Sequence, residues 1–414
     1  MSMQVAVILG AGATVASIVM AQVGRVLNPA WIVVFALYLI GPVGALTHDA
    51  GIPIPMVAIL AAGPVPFVAA ALARHRGARD RMSFLAPLAL LWALAVVSLA
   101  WTPSPAYGVD KLTIWTLTGI LPAVFIVVLA PVAGRMGWAA IVVVALVSAG
   151  ALLAFGGDSP LYPGRLSLFG DNPIWTARAA FIGALVAIFG PFPRVVRAIA
   201  AMILVAAGVA TVSLGPLLGL LAGAWTGAAV TLRDADRTRG PATPGWVALG
   251  LVSGAALVVV LGDALFGGDR SIVAMAVVND PNVTGRAGFL QASLDLFSRS
   301  PFLGVGFGGF ASTGLIEYPH NLVAEVASEL GLVGLVALAG WFAVAVRGAA
   351  RSPLLAALLV ATAVFSLFSG SVASNAEFWM FSALAVANVR VTVGRSPHVQ
   401  PVVPAHGSEA GAAT

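Results

Sequence analysis

Apolar runs of about 20 residues recur from one end of the chain to the other, broken by short polar stretches such as "RHRGARDR" at 74–81. A run of that length crosses a bilayer as a helix, because in lipid the backbone must satisfy its own hydrogen bonds. No run alternates as a half-buried strand does. The pattern predicts an all-α polytopic membrane protein with about 13 spans. They lie near 5–23, 30–46, 53–73, 83–101, 112–130, 137–155, 175–192, 195–212, 214–232, 245–265, 321–346, 354–370 and 377–389. The run at 30–46 is short; read as re-entrant or merged with a neighbour, it leaves about 12. Pro64 and Pro122 fall inside runs, where membrane helices tolerate them. Residues 1–395 read as a single transmembrane helical domain, interrupted by a long loop at 266–319 and a moderate one at 156–174. The Pro-, Gly- and Ala-rich stretch 396–414 reads as a disordered tail.

Composition sharpens this picture. The chain is 60% hydrophobic and 9% charged, too little polar surface to coat a water-facing globule of 414 residues. It has no cysteine, which excludes disulfides, thiolate nucleophiles and thiolate metal sites. The net charge of +5 does not point to nucleic acid, since cytoplasmic loops of membrane proteins are basic. Setting 74–81 inside and alternating places fifteen of the 21 basic residues inside, the N-terminus outside and the tail inside. The six exceptions are Lys111, Arg165, Arg178, Arg270, Arg286 and Arg299, all at the outer face. They either pair with outer acids such as Asp110, Asp171 or Asp295, or serve an anionic substrate.

The long loop ends in "SPFLGVGFGGF", which contains G-x-G-x-x-G at Gly304, Gly306 and Gly309. A dinucleotide-binding turn follows a strand and opens a helix, with an acid about 20 residues on. Here no strand precedes, and the acids at that offset, Glu325 and Glu329, lie in an apolar run. The glycines are therefore read as allowing a tight backbone path, or close approach to a ligand. After them, at "EYPHNLVAEVASELG", the loop becomes a span. His320 stands at that boundary, either as a base for a hydroxyl nucleophile or as an interfacial side chain with a structural hydrogen bond. Asn321, Glu325 and Glu329 share one helix face. Ionisable groups in a span usually face a cavity or a partner, so the two glutamates pair with outer arginines, orient His320, or couple protons in a transporter. The one D-x-D, Asp234 and Asp236, sits in a short basic inside loop and reads as a solvated turn; no metal site or cofactor is expected.

The stretch 284–341 resembles the O-antigen ligase and O-antigen polymerase superfamily of integral membrane glycosyltransferases. The matching residues are Arg286, Pro301, Gly304, Gly306, His320, Asn321, Glu329, Gly331 and Gly334. "GRLSLFGDNPIWTAR" at 164–178 and "LAWTPSPAYGVDKL" at 99–112 resemble upstream segments of the family. One position departs: where the family often has Ser-Arg-Gly, this chain has Ser213, Leu214 and Gly215. The resemblance implies a GT-C-like bundle in the bacterial inner membrane, with 266–319 as a periplasmic loop and 396–414 cytoplasmic. It implies transfer of a glycan from undecaprenyl diphosphate to the hydroxyl of lipid A-core or of a growing glycan, at the periplasmic face, with no nucleic acid partner. Arg286 is then the first candidate for the diphosphate, followed by Arg165, Arg178 and Lys111. His320 becomes the base, supported by Asn321, Glu325, Glu329, Gly304 and Gly306. A transporter and a scaffolding subunit are the readings from other classes.

Overall fold

The computed structural model describes residues 81–129, 135–159, 164–168, 172–238 and 281–389. The runs at 5–23, 30–46, 53–73 and 245–265, Arg270, Asp171 and the tail lie outside the described residues. Within them the apolar runs become helices close to their expected bounds. They are α1 Ala86–Ser98, α2 Pro105–Trp115, α3 Leu121–Leu129, α4 Arg135–Phe155, α5 Pro173–Phe189, α6 Arg194–Ala210 and α7 Leu214–Thr238. After a gap come α8 Pro281–Arg299, α9 Leu322–Ala349, α10 Pro353–Phe368 and α11 Ala376–Ala387. Pro105–Leu129, Gly137–Phe155, Leu214–Asp234 and Leu322–Ala349 are long and apolar enough to cross a membrane, and the chain is an all-α polytopic membrane protein.

The sequence explains two of the helix starts directly. Pro173 and Pro353 each occupy the first helical position, where a missing N–H costs nothing, and the Asn172 and Ser352 side chains cap the turns they open. Between α2 and α3 the chain runs through a π-turn, Thr116–Ile120, just ahead of Pro122. An interior proline removes a helical hydrogen bond and crowds the preceding turn, and the wider turn absorbs that.

Glycines set the tightest helix contact. Gly215, Gly219, Gly223 and Gly227 form one small-residue stripe along α7. A Cβ at Gly219 would meet the Phe365 ring and lie 2.8 Å from the Ala361 carbonyl oxygen; one at Gly223 would lie 2.6 Å from the Ala357 oxygen. α7 and α10 therefore pack backbone to backbone. Without a hydrophobic drive between helices in lipid, such close packing holds them together.

Two regions differ from the expectation. The stretch read as a loop over 266–319 contains the 19-residue helix α8. Its buried Ser293 and Leu296, with Phe289 and Ser300, share one face, while Gln291, Asp295 and Arg299 stay exposed. It is too polar to register as a span. Likewise 105–111 is the start of α2 rather than loop, so Lys111 sits in a helix. The only strands among the described residues are the two-residue pair Gly157–Asp158 and Leu166–Ser167, a small hairpin in the 156–174 connection.

Candidate functional site

Two glycine motifs interlock. Gly331, inside α9, has φ 64° and ψ −160°, which breaks the helix. This freed backbone must find partners elsewhere. The glycine-rich loop supplies them. The Val305 and Gly306 amides donate to the Ser328 and Glu329 carbonyls, both at 2.9 Å. The Leu332 and Val333 amides donate to the Pro301 and Phe302 carbonyls at 2.8 and 3.2 Å. Gly304 lies so close to the Glu329 carbonyl, and Gly331 to that of Phe302, that a Cβ on either would collide.

The same loop cradles an anion, but an internal one. The Gly308 amide donates to Glu329 Oε2 at 2.9 Å, and the Phe310 amide lies 3.4 Å from Oε1. Lys111 Nζ stands 2.6 Å from Glu329 Oε2 and 2.6 Å from Glu325 Oε1. The ammonium also lies 4.6 Å from the centre of the Phe307 ring, which stacks on Trp115. All three charged side chains are at most 2% exposed. Among the described residues, Glu325 and Glu329 thus pair with a lysine, and neither with an arginine nor with His320.

The turn at 369–375, SGSVASN, is the part that the sequence reading missed. The Val372 amide donates to Glu325 Oε2 at 2.8 Å. On its other side the loop grips Arg178: the guanidinium donates to Asn375 Oδ1, to Ser369 Oγ and to the Ser369 and Phe365 carbonyls at 2.7–3.0 Å. Glu377 lies 3.6 Å away and the Trp175 ring 4.6 Å. Arg178 is fully enclosed. One seven-residue loop therefore ties the Lys111 cluster to Arg178 at one end of the bundle. The signal was present as "SGSVASN", a Gly/Ser/Asn cluster between two apolar runs.

His320 stands at the same end, immediately before α9. Its backbone is left-handed, φ 56°, while the Asn321 side chain accepts from the Ala324 amide and caps the helix. The Tyr318 ring lies 4.6 Å from the imidazole, nearly perpendicular to it, and Phe289 of α8 lies 6.1 Å away. Nδ1 is buried without a hydrogen-bond partner. Burial, and then the positive charge of Arg286, pull the imidazole down to about 4. The ring is therefore neutral at neutral pH, and Arg286 is close enough to act on it. Arg286 and Arg165 are half-buried, and Arg299 is exposed. The site residues thus divide: His320 and Arg286 form one group, Lys111, Glu325, Glu329 and the glycines a second, and Arg178 a third.

Residues 199–339 match the family model of the O-antigen ligases. The match covers 141 of the chain's 414 residues, so this stretch is similar to an O-antigen ligase domain. Domains of this kind belong to glycosyltransferase-like enzymes of polysaccharide biosynthesis. No curated protein matches the chain. The matched stretch runs from within α6 through α7, α8, the glycine-rich loop and His320 into the broken part of α9. Lys111, Arg165, Arg178 and the 369–375 loop fall outside it.

Two outcomes test this geometry. Gly331 occupies a backbone region open to glycine alone, so Gly331→Ala is expected to cost at least about 1–3 kcal/mol. Gly288→Ala, on an exposed face of α8 where a Cβ meets nothing within 4 Å, is expected to gain about 0.5–1 kcal/mol. Thermal unfolding in detergent, followed by the fluorescence of the ten tryptophans, reads both. The second outcome concerns acid. His320 protonates in the unfolded chain near its ordinary 6.5 and in the fold only near 4, so stability is lost as pH falls from 6.5 towards 4. His320→Asn is expected to flatten that loss in a pH series of the same melts.

Proposed function

We propose that the protein transfers a glycan from undecaprenyl diphosphate to an acceptor hydroxyl at the periplasmic face of the inner membrane. The observation that carries this reading is the proximity of His320 and Arg286 inside the stretch that matches the O-antigen ligases: a neutral imidazole in the electrostatic field of a half-buried guanidinium.

The chemistry follows from the two groups. The acceptor oxygen bonds to the anomeric carbon while the carbon–oxygen bond to the diphosphate breaks. Undecaprenyl diphosphate leaves with the electron pair, and the acceptor proton passes to His320. Charge grows on the departing phosphate oxygens, and a planar, permanently charged guanidinium meets it in two-point contact. A cation already in place costs no reorganisation when the charge develops. Arg165, half-buried beside the hairpin, is the second diphosphate ligand. It would also cover the departure at Leu214, where the family often has arginine. Arg178 and Lys111 are spent on internal partners, so in this reading they hold the site's frame instead of the diphosphate. Glu325 and Glu329, sealed from water and both held by Lys111, are poorly placed to carry protons for a transporter, which must expose them by turns.

A base near 4 is weak for a hydroxyl, and the donor eases the lesser of the two causes. A diphosphate bound at Arg286 offsets the charge that depresses the imidazole, so His320 is a stronger base in the complex than in the free enzyme. The acid limb of kcat/KM reports the free enzyme and that of kcat the complex. The limb of kcat is therefore expected at the higher pH, and coincident limbs would count against the pairing.

The deciding experiment uses the purified protein with lipid-linked glycan extracted from a host strain that lacks the gene. Release of undecaprenyl diphosphate with the glycan on lipid A-core means ligase. Release with lengthening of the lipid-linked chain means polymerase. Movement of intact lipid-linked glycan across a vesicle, with no bond broken, would favour the transporter reading.

A further inference from the structure

We propose that Tyr318 is a positioning residue for His320: its ring, standing edge-on to the imidazole, fixes the imidazole's orientation and leaves Nε2 to meet the acceptor. The inference rests on the reading of His320 as the base.

A catalytic imidazole is usually oriented by a hydrogen bond at its second nitrogen. Here that device is missing, because Nδ1 is buried and unpartnered. The ring must then be held by packing. Two aromatic rings touch it, and Tyr318 is the nearer, with centroids 4.6 Å apart and planes at 63°; Phe289 follows at 6.1 Å and 37°. Edge-to-face contact of this kind has a directional preference that aliphatic packing lacks.

The backbone makes the pair rigid. Tyr318 and His320 flank Pro319, which is buried. Proline locks its own φ and restricts the residue before it to extended conformations. His320 is held left-handed, and Asn321 is fixed by capping α9. Every residue of the Tyr-Pro-His-Asn turn thus has little freedom, so the two rings keep a set relation. A left-handed histidine costs local energy, and such strain persists where the surroundings impose it. Tyr318 also lies within electrostatic reach of Arg178, which the 369–375 loop anchors. Through Tyr318 the base is referred to the same frame that carries the Lys111 cluster.

The test reads the imidazole directly. The full chain, labelled at histidine ring carbons, is titrated by NMR in nanodiscs, with the His320 signal assigned by its loss in His320→Asn. Tyr318→Phe keeps the ring; Tyr318→Leu and Tyr318→Met remove it with different side-chain shapes, so that a folding defect in one leaves the other. Tyr318→Phe is expected to titrate as the wild type does and to keep kcat within about twofold, since the ring contact survives. In the ring-less variants the His320 titration is expected to rise towards its ordinary 6.5, as water reaches the imidazole. Their kcat is expected to fall about 10²-fold with donor KM unchanged, the size a misplaced reacting group produces. An unmoved titration in both ring-less variants would overturn the proposal, as would a Tyr318→Phe loss as deep as theirs. Full activity of His320→Asn would instead sink the reading of the base, while the NMR comparison would still decide whether Tyr318 holds the ring.

Discussion

Lys111→Met is expected to destabilise the protein by about 3–5 kcal/mol, the cost of removing one partner from a buried ion pair. The reason is a charge count. One ammonium serves two carboxylates, each 2.6 Å from it and all sealed from water. Without it, two like charges face each other in a setting where neither can be hydrated, and methionine offers them nothing. Glu329→Gln should behave very differently. It leaves Lys111 with Glu325 alone, a balanced pair, and the amide oxygen can still accept from the Gly308 amide. That substitution is expected to cost only about 1.5–3 kcal/mol, the value of a hydrogen bond to a charged group. Melting curves of both variants check the contrast. Equal losses would mean that the loop's geometry, and not the charge balance, holds the cluster. Combining Lys111→Met with Glu325→Gln and Glu329→Gln should recover part of the loss, because no unpaired charge remains.

The same cluster shows what the sequence made legible. Helices were read from length and hydropathy because lipid permits little else, and α4, α5, α6 and α9 fall within a few residues of the expected spans. α8 escaped because it is amphipathic and polar, so a search for spans passes over it. Arg286 and His320 are each singled out by motif, but that Arg286 lies near enough to act on the imidazole is not legible there. The partners of Glu325 and Glu329 were not legible. Lys111 lies more than 200 residues away, and an ion pair between distant helices leaves no local pattern. The break at Gly331 was hidden for a related reason. A glycine inside an apolar run is ordinary in a membrane helix. Only the match between its freed carbonyls and the amides of the 301–306 stretch reveals why it is there. The repeated glycines of α7 could have been found, since their four-residue spacing is a local signal of close helix contact.

Arg286→Ala is expected to lower kcat/KM by about 10²–10³-fold, the effect of removing one preorganised donor from a developing anion. Arg286→Lys should restore the charge but not the planar two-point contact, and so recover only part of the rate. His320→Asn is expected to lose about 10²–10⁴-fold, the range for a general base. Asparagine tolerates the left-handed backbone that His320 occupies, so this variant should fold as the wild type does. What separates these outcomes from two unrelated losses is their coupling. Arg286 lowers the imidazole, so in Arg286→Ala the His320 titration should rise, though not to the ordinary 6.5, because burial remains the larger cause. The acid limb of kcat/KM should rise with it. A His320 titration that stays at its wild-type position in Arg286→Ala would mean that the two residues act apart. The diphosphate would then have to be met by Arg165, and the base activated by something other than the loss of its neighbour's charge.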